Sequence, residues 1–195
     1  MAGTVSNTNK LPVWAVFNGV NLGFLDEGDV TVTITPSWTD QMAHQTGNYL
    51  LDAYFNGARV TASMSMSETA EMDRWEDAFS FGEKQIDAST PPEERFAMTQ
   101  IVTTTNSSFT GARATAVAQK LEFIPVKDYA GSAATETALN LVIQKAFCRD
   151  VGDITMSIET GMVLPCTFEG LFDPTALEGE NLFWIGKTTE TWTAA

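Results

Sequence analysis

The sequence is poor in basic residues. Its 195 residues contain 11 lysines and arginines against 25 aspartates and glutamates, which gives a formal net charge of −14. Nucleic-acid binding draws most of its affinity from Lys and Arg side chains that neutralise phosphates, so a protein that grips DNA or RNA is excluded. The acidic surplus lies in two segments, 68–94 and 150–195, each with a net charge of −7. These segments are either particular acidic surfaces or solvated edges.

Residues for common catalytic and metal sites are scarce. His44 is the single histidine, which excludes a zinc site built on a histidine pair. The sequence has no nucleophile elbow, no phosphate-binding glycine loop and no dinucleotide fingerprint. Glu68 and Glu71 could serve as paired carboxylates, but their position in the first turn of a predicted helix favours a solvated face. We therefore expect no catalytic residue, no metal and no cofactor, and the chain is predicted not to be an enzyme.

Targeting and membrane-spanning segments are not visible either. The start of the sequence has no basic stretch followed by an apolar run, and no apolar run has the length needed to span a bilayer. We expect synthesis in a cytoplasm and no membrane anchor. A reducing compartment would keep the two cysteines, Cys148 and Cys166, as buried thiols, although neighbouring strands would allow them to pair.

Alternating apolar and polar residues predict strands. In segment 29–35, Val30, Val32 and Ile34 fall on one face and threonines on the other. The Asn56-Gly57 dipeptide is typical of a type I′ turn and predicts a long hairpin over 48–67. Its apolar face comprises Tyr49, Leu51, Ala53, Phe55, Val60, Ala62, Met64 and Met66, and its polar face includes Asp52, Arg59, Thr61, Ser63 and Ser65.

A helix is predicted after this hairpin. Ser67 is a candidate N-cap, and Met72, Trp75, Ala78 and Phe79 recur at helical spacing. We expect an acidic loop at 80–94, a long loop at 103–115 whose role stays open, and a loop at 36–47 before the hairpin. Further strands are predicted at 96–105, 115–126, 139–147, 153–159, 163–169 and 182–185.

These elements predict a mainly β fold. We expect a β-sandwich or open β-barrel of about eight strands with one flanking α-helix and the long β-hairpin, because strands and helices do not alternate. One domain would span 1–195, with an N-terminal arm at 1–12 and a C-terminal tail at 187–195.

The order of elements resembles the tail tube proteins (major tail proteins) of long-tailed bacteriophages, a family that shares its fold with the tube-forming protein of type VI secretion. The resemblance is carried by the strand at 29–34, the loop at 36–47, the hairpin at 48–67 and the helix at 68–79. Later segments, 121–125, 164–173 and 182–186, also resemble the family's strands. The resemblance covers most of residues 20–186, and each motif by itself is unspecific.

The resemblance implies a structural virion protein. Six subunits would form a ring, and stacked rings would form a hollow tail tube that meets other tail proteins and passes double-stranded DNA without binding it tightly. Asp52, Arg59, Thr61, Ser63 and Ser65 would line the lumen, with Arg59 paired to an acid of the adjacent subunit. Trp38, Met42 and His44, with the arm, are the predicted ring-to-ring contacts.

Two other classes stay open. Thr-rich strands and the aromatic residues Trp38, Trp184 and Trp192 are compatible with a glycan-binding or adhesin-like β-sandwich module of a virion. A hydrolase that uses Glu68 and Glu71 is the third hypothesis. The choice between a contractile and a non-contractile tail also stays open.

Overall fold

The computed structural model of the chain describes residues 13–22, 30–43, 49–66, 72–79, 82–98, 113–125, 140–157, 161–176 and 180–186. The helices are α1 (Met72–Ala78) and α2 (Ala114–Val117). The strands are β1 (Val13–Phe17), β2 (Val20–Asn21), β3 (Thr31–Ala43), β4 (Tyr49–Met66), β5 (Gly82–Ile86), β6 (Glu94–Met98), β7 (Gln119–Pro125), β8 (Leu141–Val151), β9 (Thr155–Ser157), β10 (Gly161–Leu171) and β11 (Phe183–Ile185). The predicted arm, the tail and the segment 103–112 lie outside the described residues.

Nine strands form one antiparallel sheet. Its order is β2-β1-β7-β8-β10-β4-β3, with β11 beside β8 and β9 beside β10, while β5 and β6 form a separate two-stranded sheet. The prediction of a mainly β chain is confirmed. Within the described residues the large sheet is open, with β2 and β3 at its two edges.

The hydrophobic core lies on one face of the large sheet. Leu121, Ile143, Phe168 and Val60, contributed by β7, β8, β10 and β4, have no exposed surface. Phe17 on β1 contacts Phe168 with ring centroids 5.3 Å apart. The core therefore crosses the sheet from β1 to β4, and its strands come from distant parts of the chain.

The predicted type I′ turn at Asn56-Gly57 is wrong. β4 runs without a break from Tyr49 to Met66, so this dipeptide lies inside a strand. A second Asn-Gly dipeptide, Asn18-Gly19, forms the tight turn between β1 and β2, and its φ values are 51° and 82°. Positive φ at both central residues is the property that a type I′ turn requires. Both sites carry the same Asn-Gly dipeptide. At Asn56-Gly57 the pairing with β3 keeps the chain in a strand, so no turn forms.

The long hairpin consists of β3 and β4. Their pairing runs from Thr31 opposite Ser63 to Ala43 opposite Tyr49, so the connection lies at 44–48, outside the described residues. The predicted loop at 36–47 is therefore a strand as far as Ala43. Val60 therefore lies opposite Ile34 on β3, and not opposite a residue of its own predicted hairpin.

The predicted burial of the hairpin holds for one half. Val60, Ala62, Met64 and Met66 are buried as expected, because residues 61–66 of β4 lie between β3 and β10 and Val60 lies next to Gly170 of β10. Phe55 was assigned to the same buried face and is 57% exposed. Its part of β4 extends beyond the pairing with β10.

The predicted helix is confirmed over α1, and Trp75, Ala78 and Phe79 are buried. Its candidate cap and the carboxylates Glu68 and Glu71 lie outside the described residues. The predicted acidic loop at 80–94 is confirmed only at 87–93, since β5 and β6 pair on either side of this segment. Phe96 on β6 packs this hairpin against the helix region. Its ring centroid lies 5.6 Å from that of Trp75 and 6.2 Å from that of Phe79.

The last strands differ from the prediction mainly at their ends. The segment predicted as a strand from 115 begins with the short helix α2 and continues as β7. β11 continues the line of β10 along β8, since Leu171 pairs with Lys145 and Phe183 pairs with Ile143. Between these pairs the chain leaves the sheet. At this point Asp173 forms an ion pair with Lys145 on β8, with Nζ and Oδ1 3.0 Å apart.

Candidate assembly surface

One face of the β3–β4–β10 region carries mostly hydroxyl groups, and we call it the polar face. Its members on β3 and on β4 stand opposite each other in the pairs Thr31–Ser63, Thr33–Thr61 and Thr35–Arg59. β10 extends this face, since Thr167 lies opposite Ser63 and Glu169 lies opposite Thr61. The hydroxyl oxygens of Ser63 and Thr167 are 3.2 Å apart. The residues Asp52, Arg59, Thr61, Ser63 and Ser65, predicted to line a lumen, all belong to this face. Their position in a lumen stays a prediction.

Glu169 holds three strands together on the polar face. Its carboxylate accepts hydrogen bonds from Arg59 on β4, with Nε–Oε1 at 2.6 Å and Nη2–Oε2 at 3.1 Å, and from Arg149 on β8. The carboxylate side chain is 13% exposed, whereas both arginine side chains are 52% exposed. Arg59 therefore has a partner within its own chain, and the expected pairing with an acid of an adjacent subunit stays a prediction.

The two arginines keep Glu169 ionised. Burial alone would raise the pKa of this carboxyl, but the hydrogen bonds and charges of Arg149 and Arg59 outweigh burial and lower its pKa. Asp150, which stands opposite Thr167, adds a second negative charge to this face. The centre of the polar face is thus close to neutral in a strongly acidic protein.

Beyond the last β4–β10 pair, Glu169 opposite Thr61, the strands β3 and β4 continue as a two-stranded projection. We call residues 34–43 and 49–60 the ribbon. Two bulges interrupt its pairing on the β4 side, one near Gly57 and one between Asp52 and Leu50. Gly57 has a φ of 123°, a conformation that a residue with a Cβ rarely adopts. Bulges bend a strand and increase its local twist.

The ribbon presents large apolar side chains to solvent on its other face, which continues the core face of the sheet. Trp38 and Phe55 stand opposite each other, with ring centroids 5.1 Å apart. The exposed members of this apolar face are Ile34 (48%), Trp38 (55%), Met42 (39%), Leu50 (58%) and Phe55 (57%). Trp38 and Met42 were predicted interface residues; His44 lies outside the described residues. Sequence reasoning missed Ile34, Leu50 and Phe55 because it assigned Ile34 and Phe55 to buried faces.

A cleft of about 940 Å³ lies where the ribbon separates from β10 and β11. Ribbon residues, among them Pro36, Phe55 and Ala58, form one wall, and Leu171, Phe172, Leu182 and Phe183 are among the residues of the other. Gly170 marks its base. A Cβ at this position would lie 2.9 Å from Ile143 Cγ2 and 3.5 Å from both Leu182 and Val60.

Both cysteines are free and buried in the core. Burial raises the pKa of the Cys148 thiol to about 12, and it also raises the pKa of Cys166. Cys166 pairs with Val151, whereas Cys148 pairs with Phe168, so the two cysteines are not direct cross-strand partners. A neutral, buried thiol reacts slowly with electrophiles.

In the described part of the chain, no group of three or more His, Cys, Asp or Glu side chains could hold a metal ion. The helices in that part include none with the length and apolar character to cross a membrane.

Solved structures that are similar to this chain include a tube-terminating cap and Hcp1. The tube-terminating cap of the anti-feeding prophage matches with a TM-score of 0.47 and 10% sequence identity, over 87% of this chain and 95% of that chain. Hcp1 from Flavobacterium johnsoniae matches with a TM-score of 0.33 and 7% identity, over 81% of this chain and 89% of that chain. No protein-family model matches the sequence, and the comparison with curated proteins finds no match.

Proposed function

We propose that this protein is a structural, non-catalytic subunit of a bacteriophage virion. Copies assemble into hexameric rings, and the rings stack into a hollow tail tube that delivers double-stranded DNA and joins other tail proteins. The proposal is supported by the order of the sequence elements, which resembles that of the phage tail tube proteins. The observation that carries the proposal is the ribbon, whose apolar face is exposed in a single copy.

An isolated two-stranded ribbon is marginally stable in water. This ribbon also has two unpaired edges within the described residues, since β3 ends the sheet order and β4 pairs with β10 only at residues 61–66. Long unpaired edges and large apolar patches favour association with another chain. Contact with further copies covers the apolar face and pairs the edges, which is the role of a subunit in a continuous tube.

The polar face is suited to a DNA channel. Short hydroxyl side chains dominate it, and the guanidinium groups of Arg59 and Arg149 are balanced by Glu169 and Asp150. A wall of uncompensated lysines or arginines would bind phosphates through counterion release, whereas a neutral hydroxyl wall lets DNA slide.

The assembly test compares a ribbon variant with a matched surface variant. W38S/F55S removes two half-exposed aromatic rings, and I86S removes an apolar side chain that is 59% exposed on β5. Burial of about 200 Å² of aromatic surface at about 25 cal/mol per Å² is worth several kcal/mol, so the ribbon variant should raise the concentration required for assembly at least about tenfold. Sedimentation velocity measures this concentration. Equal assembly of wild type, W38S/F55S and I86S would contradict the proposal.

The lumen assignment has its own test. T61K/S63K/S65K adds three positive charges to the polar face, and T115K/A116K/Q119K adds the same charge at exposed positions of α2 and β7. Assembled tubes of the first variant should retain DNA in a filter-binding assay, while tubes of wild type and of the second variant should not. Equal DNA retention by all three would show that the polar face does not line the channel.

The glycan-binding alternative receives less support. Trp38 lies on edge strand β3, whereas Trp184 lies on β11, which continues the line of β10 beside β8, so β4 lies between the two positions in the sheet. Trp192 lies outside the described residues. A glycan platform requires aromatic rings side by side, and a glycan array on the purified protein tests this hypothesis directly.

A further inference from the structure

A second group of exposed apolar side chains lies at the opposite end of the sheet from the ribbon. Ile154, next to β9, is 47% exposed, and Met156 on β9 is 78% exposed. We call these two residues the β9 patch. The alternation of apolar and polar residues in this segment predicted a strand, but it did not predict a role for these two residues at the surface.

The two groups lie far apart along the strand direction. β9 pairs with Gly161–Val163 at the start of β10, whereas β4 pairs with β10 from Leu164 onward and then runs away to the tip of the ribbon. Residues 50 to 66 of β4, at about 3.3 Å per residue, cover about 50 Å. The ribbon and the β9 patch therefore lie at opposite poles of one copy.

We propose that the apolar face of the ribbon in one copy packs on the β9 patch of a second copy. This inference rests on the proposed self-assembly and names the surface that receives the ribbon. Contacts between two different surfaces at opposite poles leave one free ribbon and one free patch after each addition, so copies continue to stack. A ribbon-to-ribbon contact, in contrast, would end at a dimer and leave Met156 exposed.

The ribbon supplies a large part of the apolar area that one partner needs in such an interface. Five ribbon side chains of about 200 Å² each, exposed by about half, offer about 500 Å² of apolar surface. This area is at the upper end of the apolar patches on typical monomers and supplies more than half of the roughly 800 Å² that each partner buries in a standard interface. Polar surface around both patches would form the rim.

The charges near the two surfaces indicate how the contact responds to salt. Asp40 lies on the apolar face of the ribbon, opposite Ala53, and Asp153 precedes Ile154 in the β9 patch. Each surface therefore carries an aspartate, and the repulsion between these two charges is screened by salt. The contact should therefore strengthen between low and moderate ionic strength, which is the reverse of an interface held by ion pairs.

Cysteine cross-linking tests the contact in the full chain. M42C places a thiol on the ribbon and M156C places one in the β9 patch, while the native Cys148 and Cys166 are 6% and 2% exposed and stay unreactive. A short bis-maleimide reagent is added to the assembled protein. A mixture of the two single variants should give covalent dimers, and the double variant M42C/M156C should give a ladder of dimers, trimers and longer products.

The matched control pairs M156C with I86C, whose side chain is exposed to 59% on β5. Dimers from I86C with M156C in the same yield, or dimers from M42C alone, would overturn the proposed contact. If large species form by sedimentation but M42C and M156C do not cross-link, the contact is refuted and the tube proposal stands. If wild type stays monomeric at every salt and protein concentration, both are refuted.

Discussion

Replacing Glu169 by glutamine removes the charge that joins β4, β8 and β10 on the polar face. The carboxylate is 13% exposed and accepts hydrogen bonds from Arg59 and Arg149. Charge-assisted hydrogen bonds contribute about 1.5–3 kcal/mol each in favourable settings. Both arginine side chains are 52% exposed, so solvent screening reduces the expected loss in E169Q to about 1–2 kcal/mol in total.

Urea unfolding at pH 7 measures this loss. Glu94 provides the matched control, because it forms one ion pair with Lys84 at 2.9 Å and its side chain is 42% exposed. E94Q should cost at most about 0.5 kcal/mol. In a chain of this length E169Q should also lower Tm by about 2–8 °C.

The pH dependence follows from the lowered pKa of Glu169 in the folded protein. A carboxyl with a lower pKa when folded stabilises the protein above its unfolded pKa, about 4.3, and loses this contribution as the pH falls through the folded pKa. The difference between wild type and E169Q should therefore be constant near neutral pH and shrink below about pH 4. Equal stability of E169Q and E94Q at pH 7, or a difference that does not shrink in acid, would refute the role of Glu169.

Two further predictions concern the core. G170A should destabilise the protein by about 1–3 kcal/mol in urea unfolding, because its new Cβ would lie 2.9 Å from Ile143 Cγ2 among buried neighbours; unchanged stability would contradict the packing at the base of the cleft. Cys148 and Cys166 should react with a thiol reagent in urea and stay protected in the native protein, since both are buried and their thiol pKa values are raised. Rapid native modification of either would contradict its position.

Local patterns predicted the elements better than their partners. Alternation identified the strand that begins near Val32, and the burial of Val60 and Ala62 followed from the face that the sequence assigned to them. The hairpin turn was misplaced because Asn-Gly favours a type I′ turn wherever it occurs, yet Asn56-Gly57 is held in a strand by thirteen residues of β3. Tertiary pairing overrode a turn preference that acts over a few residues.

The assembly surface could be predicted only in part. The hydroxyl residues from Thr61 to Ser65 are spaced two residues apart. Because side chains alternate between the two faces of a strand, this spacing predicted the polar face. The partner of Arg59 could not be predicted, since Glu169 lies 110 residues away in the sequence. The exposure of Phe55 depends on where β4 leaves β10, which is a property of the sheet and not of the local sequence.

Electron microscopy of the purified protein over a series of protein and salt concentrations tests the central claim most directly. Self-assembly through the ribbon predicts rings with an open centre at moderate concentration and hollow, stacked tubes at high concentration, with W38S/F55S forming neither under the same conditions. Monomers of wild type in every condition, or solid aggregates without an open centre, would contradict the account.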